Sequence, residues 1–349
     1  MKIGINGLGR IGRAIFRRAL EIDDIEISVI NEKNPDIENV CYTLNYDTIY
    51  GQLDPKVKVS GDCLEIEGGN KIALFSSSSI NDVSWKNYDI DYLIESTGVL
   101  KNVEDSAHLI ENNDCKRVFI THSPDEFVDF TMVLGCNEHL LDTDKHFIIA
   151  SSICDATAIA PVVELLDKKI GIKSGQITTL HPWLNYQNLM DGASSSWSVP
   201  GEIYHHYALG RSVIGNLIPK PTSAINATVK VLSRLKEKDI GSFSYRTPTA
   251  IVASADLNLL LSKKTSIEEV HKVLEDFESE QKWEILNLMN DPLVSLDFVN
   301  NRNSAVVDKR WTSFSGELLK LVLWYDNESG YALRVLDQVR FLHEQISKK

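Results

Sequence analysis

Residues 2–32 restrict this chain more than any other stretch. A short apolar run, Lys2 to Asn6, passes directly into Gly7-Leu8-Gly9-Arg10-Ile11-Gly12. Helical periodicity follows, with Ile11, Ala14, Ile15 and Leu20 on one side and Arg13, Arg17 and Arg18 on the other. A second apolar run, Ile25 to Ile30, ends at Asn31-Glu32. Strand, helix and strand within about thirty residues make a βαβ unit. Further strands are expected at Tyr92–Glu95, Arg117–Thr121 and His146–Ala150, with helical stretches between several of them. This alternation predicts an α/β fold with a Rossmann-type, doubly wound, mostly parallel sheet.

The glycine spacing has a use in that context. Gly7 permits the tight turn, Gly9 lets a pyrophosphate approach the backbone, and Gly12 lets helix and strand pack closely. Asn6, Arg10 and Ile11 complete the loop, and the helix amino terminus offers free N–H groups to phosphates. Glu32 lies twenty residues after Gly12, where a carboxylate accepts hydrogen bonds from a ribose. A carboxylate there repels the extra phosphate of NADP, so NAD is the expected cofactor, although Lys33 weakens the preference. The plainer alternative is a chance glycine-rich turn with a surface glutamate.

Beyond this unit the pattern changes. Val57–Phe75 alternates apolar and polar residues around Gly61-Asp62 and Gly68-Gly69-Asn70, which predicts antiparallel hairpins. A helix is expected over Ala156–Lys168, ended by Gly171. Strands follow at Gln176–Leu180, Thr249–Leu257 and Leu318–Trp324, with helices at Ser223–Leu235, Ser266–Glu278 and Tyr331–Glu344. The second half therefore reads as an α+β unit with a mainly antiparallel sheet. The long irregular stretch from Asp191 to Pro219 has the character of a functional loop.

Cys154 sits at an expected strand-to-helix junction, where backbone donors favour the thiolate, the reactive form of the side chain. A thiolate attacks an aldehyde to give a thiohemiacetal, and hydride loss to a nicotinamide leaves a thioester that phosphate or water resolves. His181, at the end of Ile177–Leu180, is the candidate base. Taken alone, a cysteine and a distant histidine read first as a buried structural cysteine and an incidental histidine. The five cysteines are scattered without a metal-like pair, which suits a reducing compartment and suggests no metal. A net charge of -13 argues against nucleic acid or an anionic membrane as partner. Without a signal peptide or an apolar span, a cytoplasmic location is the default expectation.

Taken together, these segments resemble phosphorylating glyceraldehyde-3-phosphate dehydrogenase almost end to end. The resemblance is carried by Ile5–Arg13, Asn45–Gly51, Glu95–Val99, the Cys154 segment with Ala160-Pro161, Thr178–His181, Asn216–Pro219, Tyr245–Thr249 and Trp324–Glu328. It implies an NAD-binding domain over 1–152, completed by a carboxy-terminal helix over 331–349, and a catalytic domain over 153–330. It implies that Asn327 orients the nicotinamide, that Thr97 and Gly98 line the cofactor cleft, and that Arg246 and Thr222 bind substrate phosphate. It further implies a homotetramer and a small phosphorylated aldehyde as substrate.

The departures fall in the substrate site. Ile153 and Asp155 stand where the family places hydroxyl residues, Leu184 where it places a threonine, Tyr186 where it places a small polar residue, and Tyr50 where a histidine is usual. At about 4 Å and an effective dielectric near 20, a carboxylate costs an incoming phosphate roughly 4 kcal/mol per unit charge. Asp155 should also raise the Cys154 pKa; its plainer role is to cap the helix. Water therefore competes with phosphate as the expected acceptor. His205-His206, in the long loop, reads as solvated rather than metal-binding. The rival to an enzyme is a non-catalytic dinucleotide-binding paralogue with a regulatory or assembly role.

Overall fold

The computed structural model describes residues 1–185, 187–193, 196–197, 203–204 and 207–348. Nine strands form the first sheet, in the spatial order Phe130–Thr131, Ile148–Ala150, Arg117–Ile120, Tyr92–Glu95, Lys2–Asn6, Glu26–Asn31, Lys71–Phe75, Cys63–Ile66 and Val57–Ser60. Pairing is parallel up to Lys71–Phe75 and antiparallel beyond it. The expected hairpins are present and extend the parallel sheet at one edge.

Successive side chains of a strand point to opposite faces, and here both faces are covered. Ile3, Ile5, Tyr92, Ile94 and Phe119 enter one core with Ile15 and Phe16 of the first helix, Arg10–Ala19, and Val335 and Leu336 of the last. Val29, Leu93, Val118 and Ile120 enter the other core, with Val103 and Leu109 of the helix Leu100–Glu111. This two-sided burial explains why the strands read as continuous apolar runs. The last helix spans Ser329–Ser347, beginning two residues ahead of its expected start.

A second sheet runs Ile218–Lys220, Asp239–Thr247, Ile172–Pro182, Ala253–Leu261, Leu318–Tyr325, Ala305–Asp308 and Leu286–Met289, with Ser313–Ser315 added beside Leu318–Tyr325. Most of its pairings are antiparallel; Ile172–Pro182 with Asp239–Thr247 and Leu286–Met289 with Ala305–Asp308 are parallel. The helix Cys154–Lys169 packs Ile159, Val162, Val163 and Leu166 into the core of this half.

Two expectations need correction. The strand expected at Thr249–Leu257 lies instead at Ala253–Leu261, because Val252 takes φ 67°, outside the extended region. The helix expected over Ser223–Leu235 covers Ala224–Val231 and gives way to a 3-10 turn at Ser233–Glu237. Among the described residues no helix is long and apolar enough to cross a membrane.

Candidate functional site

The glycine loop closes on itself as its spacing requires. Gly7 has φ 93°, and a Cβ there would stand 2.8 Å from the Thr97 side chain. A Cβ on Gly12 would stand 2.0 Å from the Gly7 carbonyl oxygen. Gly9, the residue before the helix, has nothing within 4 Å of its would-be Cβ. That opening, in front of helix N–H groups capped by no side chain, is the shape a pyrophosphate needs.

The other expected cofactor residues surround the loop, with side chains already engaged. The Asn6 amide donates to buried Glu95 and accepts from Asn31 at 2.7 Å, so it braces the floor of the loop. Thr97 donates to Glu95 through its backbone N–H and its hydroxyl, and Gly98 turns the chain with φ 69°. Burial pushes Glu95 up to about 7 despite these donors. Glu32 accepts from the Leu8 N–H at 2.8 Å and from the Asn34 N–H at 3.1 Å, which sets its carboxylate beside the loop. The Arg10 guanidinium is held between Asp47 at 2.5 Å and Glu328 at 2.6 Å, leaving its backbone and that of Ile11 to face a ligand.

A cavity of about 470 Å³ lies where the two halves meet, and Arg10, Cys154, His181, Thr222, Arg246 and Asn327 all line it. The buried Oδ1 of Asn327 has no hydrogen-bond partner among the described residues. A buried amide oxygen without a donor is costly, and a nicotinamide carboxamide would supply one. With the open face at Gly9, this supports a fit to a nicotinamide dinucleotide.

Cys154 is the first residue of its helix, delivered by a turn in which Ser152 adopts φ 61°. Such strain in a non-glycine residue persists only where surrounding contacts enforce it, and the Tyr331 hydroxyl fixes the Ser152 carbonyl at 3.0 Å. The Cys154 Sγ lies 3.6 Å from His181 Nε2 and 3.8 Å from Asp155 Oδ1. These three side chains bring ligand atoms within 4.8 Å of one another, a spacing that a thiophilic cation could also use. Burial and the Asp155 charge push the thiol well above its ordinary range, opposed by the Asp155 backbone N–H and Arg246.

His181 and Arg246 are register partners on parallel strands. Arg246 Nη1 donates to His181 Nδ1 and to the Pro182 carbonyl at 3.1 Å. An arginine only donates, so against Arg246 Nδ1 accepts and the ring proton sits on Nε2, whereas the Pro182 carbonyl, 3.0 Å from the same Nδ1, suits the tautomer with the proton on Nδ1. Burial and Arg246 lower the His181 pKa to about 4, so the ring is neutral near pH 7. The buried Arg246 Nε has no partner among the described residues. Thr222 presents its hydroxyl to the cavity while accepting from the Ala224 N–H at 3.2 Å.

Asp155 does not cap its helix; its Oδ1 accepts from the Tyr325 hydroxyl at 2.7 Å. Tyr50 donates to Asp326 at 2.9 Å and so braces the residue before Asn327. Leu184 gives the cavity wall an apolar face. Tyr186, His205 and His206 lie outside the described residues.

Lys220 escaped the sequence reading, because a single lysine after Pro219 carries no pattern. It lines the cavity, has no hydrogen bond or ion pair among the described residues, and is lowered to about 8 by burial and by Arg246. The Tyr325–Asp155 bond was equally hidden, its partners being 170 positions apart.

Comparison with known proteins agrees with this geometry. Residues 1–103 match the family described as glyceraldehyde 3-phosphate dehydrogenase, NAD binding domain, and residues 153–327 match its C-terminal domain. The chain is 34% identical over 343 residues to a glyceraldehyde-3-phosphate dehydrogenase of Priestia megaterium, covering 98% of each chain. It is 35% identical to glyceraldehyde-3-phosphate dehydrogenase 2 of Bacillus subtilis, covering 97% of this chain and 96% of that one. It is also 35% identical to a cytosolic glyceraldehyde-3-phosphate dehydrogenase of Chlamydomonas reinhardtii, covering 97% and 95%. A glycine loop open to a dinucleotide, a thiol beside an imidazole and matches to both family domains thus agree: the chain belongs to the glyceraldehyde-3-phosphate dehydrogenase family and is an NAD-dependent oxidoreductase of that type.

Proposed function

We propose that this protein oxidises a small phosphorylated aldehyde through a covalent intermediate on Cys154, with glyceraldehyde 3-phosphate as the first substrate to try. The supporting observation is the 3.6 Å approach of Cys154 Sγ to His181 Nε2 in a cavity that also holds Arg246, Lys220 and Asn327. We assign residues 1–152 with the last helix to cofactor binding and 153–330 to catalysis, because the cavity lies between the two sheets.

In this reading Asn327 Oδ1 accepts from the nicotinamide carboxamide, the loop at Gly9 takes the pyrophosphate, and Glu32 takes the ribose hydroxyls. NAD, when bound, supplies the hydride acceptor. Arg246 Nε, Lys220 and Thr222 hold the substrate's anionic end. Cys154 sulfur attacks the aldehyde carbon while the thiol proton passes to the carbonyl oxygen, giving a thiohemiacetal hydroxyl. As Arg246 turns toward the substrate anion it leaves His181 Nδ1, which then carries the ring proton and donates it in a hydrogen bond to the Pro182 carbonyl, 3.0 Å away. Nε2 then becomes the acceptor and removes the hydroxyl proton as the thioester forms.

Ile153 offers no donor to inorganic phosphate, and Asp155 repels it, which favours water over phosphate as acceptor. A family-type homotetramer and a cytoplasmic location complete the proposal. The non-catalytic reading loses ground, since a binding paralogue has no use for a thiol, an imidazole and an arginine placed in one cavity.

The test is NADH formation from glyceraldehyde 3-phosphate and erythrose 4-phosphate, each with and without inorganic phosphate. Activity that barely responds to phosphate is expected, with a loss of roughly 10³-fold or more in Cys154→Ser. A Cys154→Ser protein of full activity refutes the covalent scheme, and strong phosphate stimulation refutes the choice of acceptor.

A further inference from the structure

We propose that Asp155 is a catalytic residue: the general base that activates water against the Cys154 thioester. The inference rests on the covalent dehydrogenase reading and deepens it by naming the group that resolves the intermediate.

Three observations carry it. Asp155 Oδ1 stands 3.8 Å from Cys154 Sγ, so a water on the acyl carbon of a Cys154 thioester falls within a hydrogen bond of this carboxylate. The carboxylate is aimed: Tyr325, on the far strand Leu318–Tyr325, donates to Oδ1 at 2.7 Å, and both residues are buried. It is also uncommitted, since no hydrogen bond to Oδ2 and no ion pair to Asp155 exists among the described residues, although the side chain faces the cavity. An acidic residue in the first helical turn is ordinarily favoured by the helix dipole alone. Asp155 accepts from a tyrosine and the thiol as well.

His181 cannot serve this step. Its Nε2 has already taken the hydroxyl proton as the thioester formed, so the charged ring has no acceptor left and faces the sulfur as a donor. Asp155 is the remaining proton acceptor beside the thioester. The water oxygen bonds to the acyl carbon while one water proton passes to the carboxylate. The tetrahedral adduct then collapses, the C–S bond breaks, and its electron pair leaves on sulfur, where the His181 Nε2–H and the Asp155 backbone N–H receive it. Asp155 returns its proton to the sulfur. The product loses the second water proton to solvent and departs as a free carboxylate, with no change in oxidation state during the step.

The experiment compares wild type, Asp155→Asn and Tyr325→Phe with glyceraldehyde 3-phosphate and NAD, without phosphate and with EDTA present. Rapid-quench NADH formation is followed beside intact-protein mass. Asp155→Asn should keep a burst of one NADH per site, accumulate the acyl-enzyme by mass, and lose roughly 100-fold in steady-state rate. Hydroxylamine, a nucleophile that needs no base, should restore turnover. Tyr325→Phe should show the same pattern at roughly tenfold, and it keeps the proposal testable if Asp155→Asn does not fold. Steady turnover at the wild-type rate in a variant that still bursts overturns the role of Asp155 alone. A Cys154→Ser protein of wild-type activity, or variants in which no acyl-enzyme mass can be trapped, removes the covalent reading beneath it as well.

Discussion

Arg246 carries two tasks with one guanidinium. It donates to His181 Nδ1 and the Pro182 carbonyl with Nη1, and it holds Nε, buried and unpartnered, toward the cavity. A lysine keeps the charge but cannot place donors in a fixed fork. Arg246→Lys should therefore raise KM for glyceraldehyde 3-phosphate roughly 10- to 100-fold, the worth of a charge-assisted hydrogen bond, and lower kcat as well. Steady-state kinetics with unphosphorylated glyceraldehyde provide the control. An equal KM change for both aldehydes would show that Arg246 does not bind the phosphate. At this scale Cys154, His181, Arg246 and Asn327 were legible in the sequence because each sits in an ordered motif. Lys220 and Tyr325 were not, since their meaning comes from neighbours brought together only by the fold.

The loop between the first strand and first helix separates folding from binding in adjacent glycines. Gly12 faces the Gly7 carbonyl, and a methyl group there has no room. Gly12→Ala should destabilise the protein by about 1–3 kcal/mol or more, the usual cost of overpacking, seen as a lower Tm without ligand. Gly9 faces open space, so Gly9→Ala should leave the Tm of the free protein unchanged and weaken NAD binding in calorimetry. Equal effects of the two substitutions on ligand-free stability would contradict this division. The βαβ unit was readable because its apolar period and its glycines agree. The strand Asp239–Thr247 was missed because Asp239, Gly241, Ser242 and Ser244 interrupt its apolar pattern. That strand is held by pairing on both sides, with Ile218–Lys220 and Ile172–Pro182, rather than by its own composition.

Across the whole molecule, acid should loosen the fold through two histidines, the buried His181 and the half-buried His122, whose ring nitrogens are shielded from solvent. Burial lowers both His122 and His181 to about 4, with Lys230 and Arg246 respectively adding to it. The unfolded chain binds their protons below about pH 6.5 and the native state does not, so stability is lost as pH falls from 6.5 to 4, by about 3 kcal/mol for each. Glu95 acts in the opposite sense. The native state holds its proton up to about pH 7, which adds stability as pH falls from 7 to 4.5 and offsets one histidine. Urea midpoints should thus decline over this range with the slope of about one proton, and His122→Phe should nearly abolish the decline. An unchanged slope in that variant would assign the acid sensitivity elsewhere.

The helix Ser329–Ser347 also sets a schedule. Its Tyr331, Val335, Leu336 and Val339 close a core laid down by Ile3 and Ile5, and its Ser329 meets Arg18 across 311 positions of chain. At about 5–20 residues per second, a ribosome leaves that groove bare for roughly 15 to 60 s. During this wait the nascent first half is sticky, and a chaperone that shields apolar surface has its natural target there. Asn327 arrives only two residues ahead of the helix, so the lid on the groove and the grip on the nicotinamide come into being together. A chain that stalls or is clipped before this point can neither finish its first core nor seat the dinucleotide for chemistry.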